Sequence, residues 1–464
     1  MFKFLSVIPY LQFKPFETET SEGRTKERHR RALLTLLANV LSKGIGFVVM
    51  IVSLRIALPY LGKERFGVMA TITSLAMLLT FLDLGIGNGL VSQVARLRTV
   101  RDNDSLARLI GNALFILGII GAIAAVVLCV LSIYSPLAWA FKGARLPVLT
   151  EARSTLTVFG ILFGLSVPLG AVQRIFAGLQ EGYTAQLITA ALSVIGLILL
   201  YFLPYMGAGI PAFLLVTYGM QVLAGLVMLW MLMVRRLVAC PNYLVFSDRE
   251  TISLLKTGGL FFILQIGGVI GWGADNLIIS TMLGAAEVTQ LVVVQRMFML
   301  VSVPLSMING PLWAAYADAA SRGDKDYIHI TFKRSMLLTP TLAIIVGMLI
   351  FSVYGFLASL ITKGTVSLTS SFVLLYAFWS VLDSAGNAFA MFVNGMHVVR
   401  PQVVVVILFV MVSIPLKIFL LSKFGLAGLV SGTILAYMFT IVLPYATAFK
   451  RTITNSVNMA ILNR

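Results

Sequence analysis

Charged residues are scarce in this sequence. Only 11% of its 464 residues are Asp, Glu, Lys or Arg, whereas 59% are hydrophobic. A soluble domain usually carries about 25% charged residues, because its surface is exposed to water. The composition therefore excludes an ordinary soluble protein and indicates a chain that lies in a lipid bilayer.

Residues that support covalent or metal chemistry are also few. The chain has two cysteines, Cys129 and Cys240, in segments of different environment, and three histidines that form no cluster in the sequence. We therefore expect no disulfide, no metal site and no cofactor. No phosphate loop of the G-x-x-x-x-G-K-[ST] type occurs, and no segment outside the apolar runs is long enough for a catalytic domain, so we expect no enzyme activity and no catalytic residues.

Long apolar runs predict helices that cross a membrane. A hydrocarbon core of about 30 Å requires about 20 apolar residues per helix, and continuous runs without strict alternation favour helices over barrel strands. Twelve runs meet this requirement: residues 35–58, 66–92, 109–132, 154–178, 184–204, 210–234, 257–282, 287–313, 331–356, 367–394, 401–422 and 425–448. We predict an all-α integral membrane protein with about twelve transmembrane helices.

Basic residues predict the orientation of these helices. Lys and Arg are concentrated in the N-terminal tail and in alternate short loops, such as those containing residues 96–108 and 235–256. Because cytoplasmic loops carry an excess of Lys and Arg, both termini are predicted to be cytoplasmic in a multi-pass protein of the inner membrane. The net charge of +17 follows from this bias, so we expect contact with membrane lipids and no nucleic-acid partner.

The sequence also divides into two halves. Aligning the first two spans with the seventh and eighth places Gly46 on Gly268 and Gly62 on Gly284. Such repeats predict two six-helix lobes around a central cavity that work by alternating access. The predicted domains are a cytoplasmic tail (1–34), an N-lobe with helices 1–6 (35–234), a cytoplasmic inter-lobe loop (235–256), a C-lobe with helices 7–12 (257–448) and a cytoplasmic tail (449–464).

Three motifs resemble those of a known family. The stretch Tyr60-Leu-Gly-Lys-Glu-Arg-Phe-Gly67, followed by Asp83-Leu-Gly-Ile-Gly-Asn-Gly-Leu90, resembles the opening of polysaccharide transporters and O-antigen flippases. Asn394-Gly-Met-His-Val-Val-Arg-Pro-Gln402 resembles the end of their tenth span. These proteins belong to the multidrug/oligosaccharidyl-lipid/polysaccharide exporter (MOP) superfamily.

The resemblance implies a flippase. Its substrate would be an undecaprenyl-diphosphate-linked oligosaccharide repeat unit of O-antigen, capsule or exopolysaccharide, carried from the cytoplasmic to the periplasmic leaflet. It also implies an H⁺ or Na⁺ gradient as a candidate energy source, and polysaccharide polymerase and chain-length machinery as candidate protein partners.

Charges inside the predicted spans indicate where such a substrate binds, because each is costly in hydrocarbon and is expected to face a cavity or a partner. The basic residues predicted to bind substrate are Lys43, Arg55, Arg174, Arg296 and Lys417. The acidic residues predicted to couple transport to an ion are Asp83, Asp275 and Asp383. The basic excess suits an anion such as a diphosphate.

Polar and aromatic stripes on two spans predict sugar contacts. Aromatic faces pack on the C–H groups of sugars, while amides and carboxylates hydrogen-bond to the hydroxyls. On the seventh span the stripe contains Gln265, Trp272 and Asn276, and on the tenth it contains Trp379, Asp383 and Asn387.

Simpler interpretations remain open at this stage. Asp83, Arg174, Arg55 and Lys417 lie near predicted helix ends, where long side chains reach the membrane surface, and Asp275 can form a structural ion pair with Arg296. The competing functions are a lipid II flippase, a drug/cation antiporter of the same superfamily and a membrane enzyme of polysaccharide assembly.

Overall fold

The computed structural model describes residues 21–100, 102–135, 137–239, 271, 273–396 and 399–447. All regular elements within these ranges are helices. The α-helices are α1 (Ser21–Leu78), α2 (Ile86–Val100), α3 (Asn103–Tyr134), α4 (Leu137–Ala140), α5 (Leu146–Gly178), α6 (Gly182–Phe202), α7 (Ile210–Val234), α8 (Asp275–Met282), α9 (Ala285–Arg322), α10 (Lys325–Ser352), α11 (Tyr354–Thr362), α12 (Ser370–Gly395) and α13 (Val399–Tyr437). A π-helical turn, Met438–Val442, follows α13 directly.

Nine helical segments of the described ranges are long and apolar enough to cross a membrane, which confirms the all-α membrane fold. Two of them, Leu37–Asp83 and Val404–Thr447, have double length and each cover two predicted spans in whole or in part. Each is kinked at a glycine with positive φ, Gly62 (φ 76°) and Gly425 (φ 60°), a conformation that glycine adopts without a Cβ clash. Most of the predicted span 257–282 lies outside the described residues.

The predicted second span, 66–92, is not one helix. Helix α1 ends at Leu78, a 3₁₀ turn covers Thr80–Asp83, and α2 begins at Ile86. Leu84 (φ 49°) and Gly85 (φ 70°) are both left-handed, and the Gly85 N–H donates to Asp83 Oδ1 over 2.8 Å. An Asp side chain that bonds to the backbone two residues later favours a turn over a helix, so this motif breaks the span.

The described chain forms two compact units. Of the described residues, those within 1–57, 79–137 and 147–262 form the first unit, and those within 58–78, 138–146 and 263–464 form the second. In the first unit, α3 and α5 approach closely because Gly121 and Gly164 face each other, and a Cβ on either glycine would overlap the other's carbonyl. Small residues allow such close helix contacts where lipid supplies no hydrophobic driving force.

The second unit contains α8–α13. Its core includes an aromatic cluster in which Tyr316 meets Phe392 edge-on at 5.4 Å between ring centroids, and Phe332 lies 4.6 Å from Phe392. Tyr316 packs against Gly395, where a Cβ would lie 2.5 Å from the Tyr316 Cβ. This cluster holds α9, α10 and α12 together and so fixes the helices that line the cavity described below.

Candidate functional site

The second unit contains a partly open cavity of 420 Å³ among its membrane-spanning helices, which we call the polar cavity after the polar side chains in its lining. Residues from α9, α12, α13 and the π-turn line it. Its polar lining residues are Ser302, Ser306, Asp383, Ser384, Asn387, Gln402, Tyr437 and Tyr445. A cavity of this size and polarity is typical of a small-ligand site, and polar groups inside a membrane helix bundle usually mark function.

Asp383 and Asn387 stand one helical turn apart on α12, so both side chains reach the cavity from one helix face. Asp383 is exposed to the cavity, and Ser384 Oγ beside it is buried with no hydrogen bond to a described residue. The Asp383 carboxylate is therefore available to a ligand that donates hydrogen bonds.

A buried chain of amides and a hydroxyl positions Asn387. Asn309, which is 1% exposed, donates from Nδ2 to Asn387 Oδ1 over 3.4 Å, and Thr339 Oγ1 donates to Asn309 Oδ1 over 3.2 Å. This chain links α9, α10 and α12. It occupies the acceptor oxygen of Asn387 and leaves its amide N–H groups for the cavity.

The Asn309 chain allows a test that separates stability from function. We expect Asn309→Leu and Thr339→Val each to destabilise the protein by about 1–3 kcal/mol, because each leaves a buried polar group without its partner. Only Asn309→Leu releases Asn387, so only this variant should lower transport per folded molecule. Thermal unfolding and transport assays on both purified variants check this, and equal transport losses would contradict the positioning role.

Aromatic rings close the cavity on another side. The rings of Phe389 and Tyr445 meet at 4.8 Å between centroids, and both residues line the cavity. Trp379, which was predicted to contact sugar, is 9% exposed and packs edge-on against Tyr437 at 5.4 Å. Trp379 therefore supports Tyr437 from behind and is not among the cavity-lining residues.

Asp275 and Lys417 form a buried ion pair. Lys417 Nζ donates to Asp275 Oδ1 over 2.7 Å and to the Gly271 carbonyl over 2.9 Å, and the lysine side chain is 1% exposed. The sequence interpretation considered Arg296 as the partner of Asp275, and the structure gives it Lys417 instead. Sequence position alone does not tell which helices are neighbours.

The other predicted residues lie in varied surroundings. Arg296 is half-buried with Nη1 at 3.6 Å from Met299 Sδ, and Arg55 is also half-buried. Lys43 is exposed on α1. Asn276 Oδ1 is buried and accepts no hydrogen bond from a described residue. Gln265 and Trp272 lie outside the described residues.

The side chains of Asp83 and Arg174 both approach Gly87 in the first unit. A Cβ at Gly87 would be 3.2 Å from Asp83 Oδ2 and 3.4 Å from Arg174 Cγ. Asp83 is half-buried and Arg174 is exposed, so the motif glycine lets the two charged side chains approach the same point of α2.

The motif Tyr60–Gly67 lies in a three-segment junction, which we define as residues 60–67, 138–146 and 279–289 of the second unit. Thr289 Oγ1 donates to the Lys63 carbonyl over 2.7 Å, and both Thr289 and Ser280 are fully buried. Ser280 Oγ donates to the Ala140 carbonyl over 2.7 Å, and Lys142 Nζ donates to the Met282 carbonyl over 3.0 Å. Gly67 has no room for a Cβ beside the Ala285 carbonyl, so the motif glycine allows this junction to close.

The last motif joins α12 to α13. Gln402 Nε2 donates to Asn394 Oδ1 over 3.0 Å, and Gln402 also lines the cavity. Sequence reasoning quoted both residues as part of the motif but did not place Gln402 at the site. It also missed Tyr437 and Tyr445, because regular α-helical spacing does not align them and the π-turn between them is not evident in the sequence.

Solved structures with this fold are membrane transporters. The chain is 16% identical to a multidrug resistance MATE family transporter of the MOP superfamily in an inward-facing conformation, with a TM-score of 0.74 over 91% of this chain and 98% of that one. It is 15% identical to a MOP superfamily transporter from Pyrococcus furiosus, with a TM-score of 0.65 over 91% and 95% of the two chains. The protein is thus an integral membrane protein with the MOP transporter fold.

The sequence comparisons define the family. The model for polysaccharide biosynthesis proteins matches residues 29–316, more than half of the chain, and the chain belongs to this family. A Yersinia pseudotuberculosis protein assigned to O-antigen export is 22% identical over 421 residues, which cover 90% of this chain and 95% of that protein.

Proposed function

We propose that the protein is a flippase for undecaprenyl-diphosphate-linked oligosaccharide repeat units of O-antigen, capsule or exopolysaccharide. It carries them from the cytoplasmic to the periplasmic leaflet of the inner membrane and catalyses no covalent reaction. The observation that carries the proposal is the 420 Å³ polar cavity, whose hydroxyls, amides and aromatic rings match the groups of a sugar. Membership of the polysaccharide biosynthesis family supports the same substrate class.

Cationic side chains would bind the diphosphate. Lys43 is exposed and Arg296 is half-buried within a membrane helix, and each can give a charge-assisted hydrogen bond to a phosphate oxygen. Arg55 and Arg174 are further candidates along the path. Lys417 is engaged by Asp275, and its role would be to neutralise that carboxylate until the pair separates.

An ion gradient would drive the cycle through the acids. Asp383 faces the cavity without a hydrogen bond or ion pair to a described residue, so a proton or Na⁺ can bind it directly. Asp275 would respond through Lys417, because protonating the carboxylate removes the attraction that holds the lysine. Asp83 would act through the turn that its side chain stabilises at Gly85.

Alternating access would use the predicted lobes, residues 35–234 and 257–448, as its moving parts. In this mechanism the three-segment junction closes the path on one side of the membrane and opens when substrate leaves. Its hydrogen bonds end on backbone carbonyls, so they can break and re-form without a change of side-chain protonation.

The test of the function is the fate of the lipid-linked sugar. We expect a deletion strain to accumulate undecaprenyl-linked oligosaccharide in the cytoplasmic leaflet, and the wild-type gene to restore export. Purified protein in proteoliposomes should move the same lipid between leaflets. A deletion strain that exports normal amounts of polysaccharide, with no second flippase gene present, would refute the proposal.

A second candidate is a drug/cation antiporter. It is favoured by the charge of the cavity, because Asp383 is the one charged group among its described lining residues. A carboxylate without a basic neighbour attracts cations. This candidate predicts that the deletion strain becomes sensitive to cationic drugs while its polysaccharide export stays normal.

A further inference from the structure

A second cavity of 360 Å³ lies beside the polar one in the same unit. The two cavities share a wall made by Gly386, Phe389, Tyr437, Ile441 and Tyr445. Beyond this wall the second cavity is apolar, and its own lining residues are Phe332, Met336, Leu382, Ala385, Val442 and Ala446. We call it the apolar groove.

Two different faces of helix α12 line the two cavities. Leu382, Ala385 and Phe389 are three or four residues apart and face the groove, whereas Asp383 and Asn387 face the polar cavity. One helix therefore presents an apolar strip to one space and a polar strip to the other. A molecule that is polar at one end and apolar at the other can use both.

The shared wall depends on two backbone features. A Cβ on Gly386 would overlap the Tyr437 hydroxyl, so glycine allows that phenol to lie against α12. The π-turn Met438–Val442 sits between Tyr437 and Tyr445 and carries Ile441. A π-turn widens a helix locally and shifts the direction of later side chains, which places residues 441 and 445 between the cavities.

We infer that the apolar groove holds the part of the polyprenyl chain next to the diphosphate while the sugar occupies the polar cavity, an inference that rests on the proposed flippase function. Membrane lipid is as apolar as the groove, so the groove gains little from hydrophobic transfer. The groove contributes van der Waals contacts with the branched polyprenyl chain. It also fixes the position of the substrate, because a bound chain keeps the sugar at one depth in the membrane. An ordinary phospholipid carries no sugar that would occupy the polar cavity across the wall.

Photocrosslinking of the full-length protein in phosphatidylethanolamine/phosphatidylglycerol nanodiscs tests this. The probes are undecaprenyl-diphospho-N-acetylglucosamine with a diazirine on the chain, the C10 analogue citronellyl-diphospho-N-acetylglucosamine, and phosphatidylglycerol with a diazirine on its acyl chain. We expect the undecaprenyl probe to label peptides of 382–389 and 442–446, and to compete there with unlabelled undecaprenyl substrate. Phosphatidylglycerol should label the groove weakly and without competition.

Variants that fill the groove complete the test. Ala385→Trp and Ala446→Trp block it from opposite sides, and we expect each to lower labelling by the undecaprenyl probe about tenfold, as loss of a buried anchor does. Binding of the C10 analogue should fall as well, because its chain is the part that lies next to the diphosphate. The matched control is Phe378→Trp on the exposed face of α12, which should behave as wild type.

The outcomes separate the two proposals. If wild-type protein binds the C10 analogue but the undecaprenyl probe avoids the groove, or if both filled variants are folded and label normally, the groove inference fails and the flippase proposal stands. If wild-type protein binds neither sugar-bearing probe, both proposals fail. Uncompeted phosphatidylglycerol labelling equal to that of the undecaprenyl probe would identify the groove as an ordinary lipid contact and overturn the inference.

Discussion

Replacing Lys417 with methionine is expected to destabilise the protein by about 3–5 kcal/mol, the usual effect of removing one partner of a buried ion pair. The Asp275 carboxylate would keep its charge inside the helix bundle without its ammonium partner, and the Gly271 carbonyl would lose a donor. Thermal unfolding in detergent, together with the folded fraction from gel filtration, measures this loss.

Adding Asp275→Asn to the Lys417→Met variant completes this test. We expect Asp275→Asn/Lys417→Met to recover most of the lost stability, since no buried charge then remains unpaired. Lys423→Met on the same helix is the matched control, because Lys423 is exposed and its removal should leave unfolding unchanged. If Lys417→Met unfolds like wild type, the pair does not hold the fold. A stable double variant that no longer transports would assign the pair to the transport cycle.

A covalent bridge across the three-segment junction is expected to abolish transport. In a background without Cys129 and Cys240, Ala140→Cys/Ser280→Cys introduces thiols at two residues that are in contact, since the Ser280 hydroxyl lies 2.7 Å from the Ala140 carbonyl. Bridging with a short bis-thiosulfonate reagent should stop flipping almost completely, because alternating access requires this junction to open. Reduction should restore the original rate in the same proteoliposomes.

The matched control for this bridge is Ser132→Cys/Thr157→Cys. The two hydroxyls lie 2.8 Å apart and join α3 to α5 within the first unit, so the bridge links helices that need not separate. We expect transport to continue when this pair is bridged. Normal transport with the 140–280 bridge in place would show that the junction need not open.

Apolar run length was sufficient to predict most of the membrane helices. It misled in the second predicted span, where a local turn breaks the helix. The predicted span 66–92 breaks where Asp83 bonds to the Gly85 N–H and Leu84 becomes left-handed, and hydropathy does not register such a turn because the residues remain largely apolar. The kinks at Gly62 and Gly425 fall between predicted spans, where a glycine in a short loop indicates a change of chain direction.

The site was harder to predict than the fold. Inspection of intramembrane polar residues singled out Asp383, Asn387, Asp275 and Lys417, because such residues are conspicuous in apolar sequence, but it offered Arg296 as the partner of Asp275, which pairs with Lys417. It did not find Asn309 as the residue that positions Asn387, nor the role of Gly386 against Tyr437. Both depend on which helices are neighbours, and periodicity within one helix carries no information about that.

The buried pair also has a consequence for synthesis. Asp275 and Lys417 are separated by 142 residues. At about 5–20 residues per second, the carboxylate leaves the ribosome on the order of ten seconds before its partner. A charged residue inside the membrane is costly, about 2.5–3.5 kcal/mol at a helix centre, so the nascent chain needs another partner for Asp275 until α13 is inserted. The first part of the second unit therefore depends on helices that are synthesised later for its stable insertion into the bilayer.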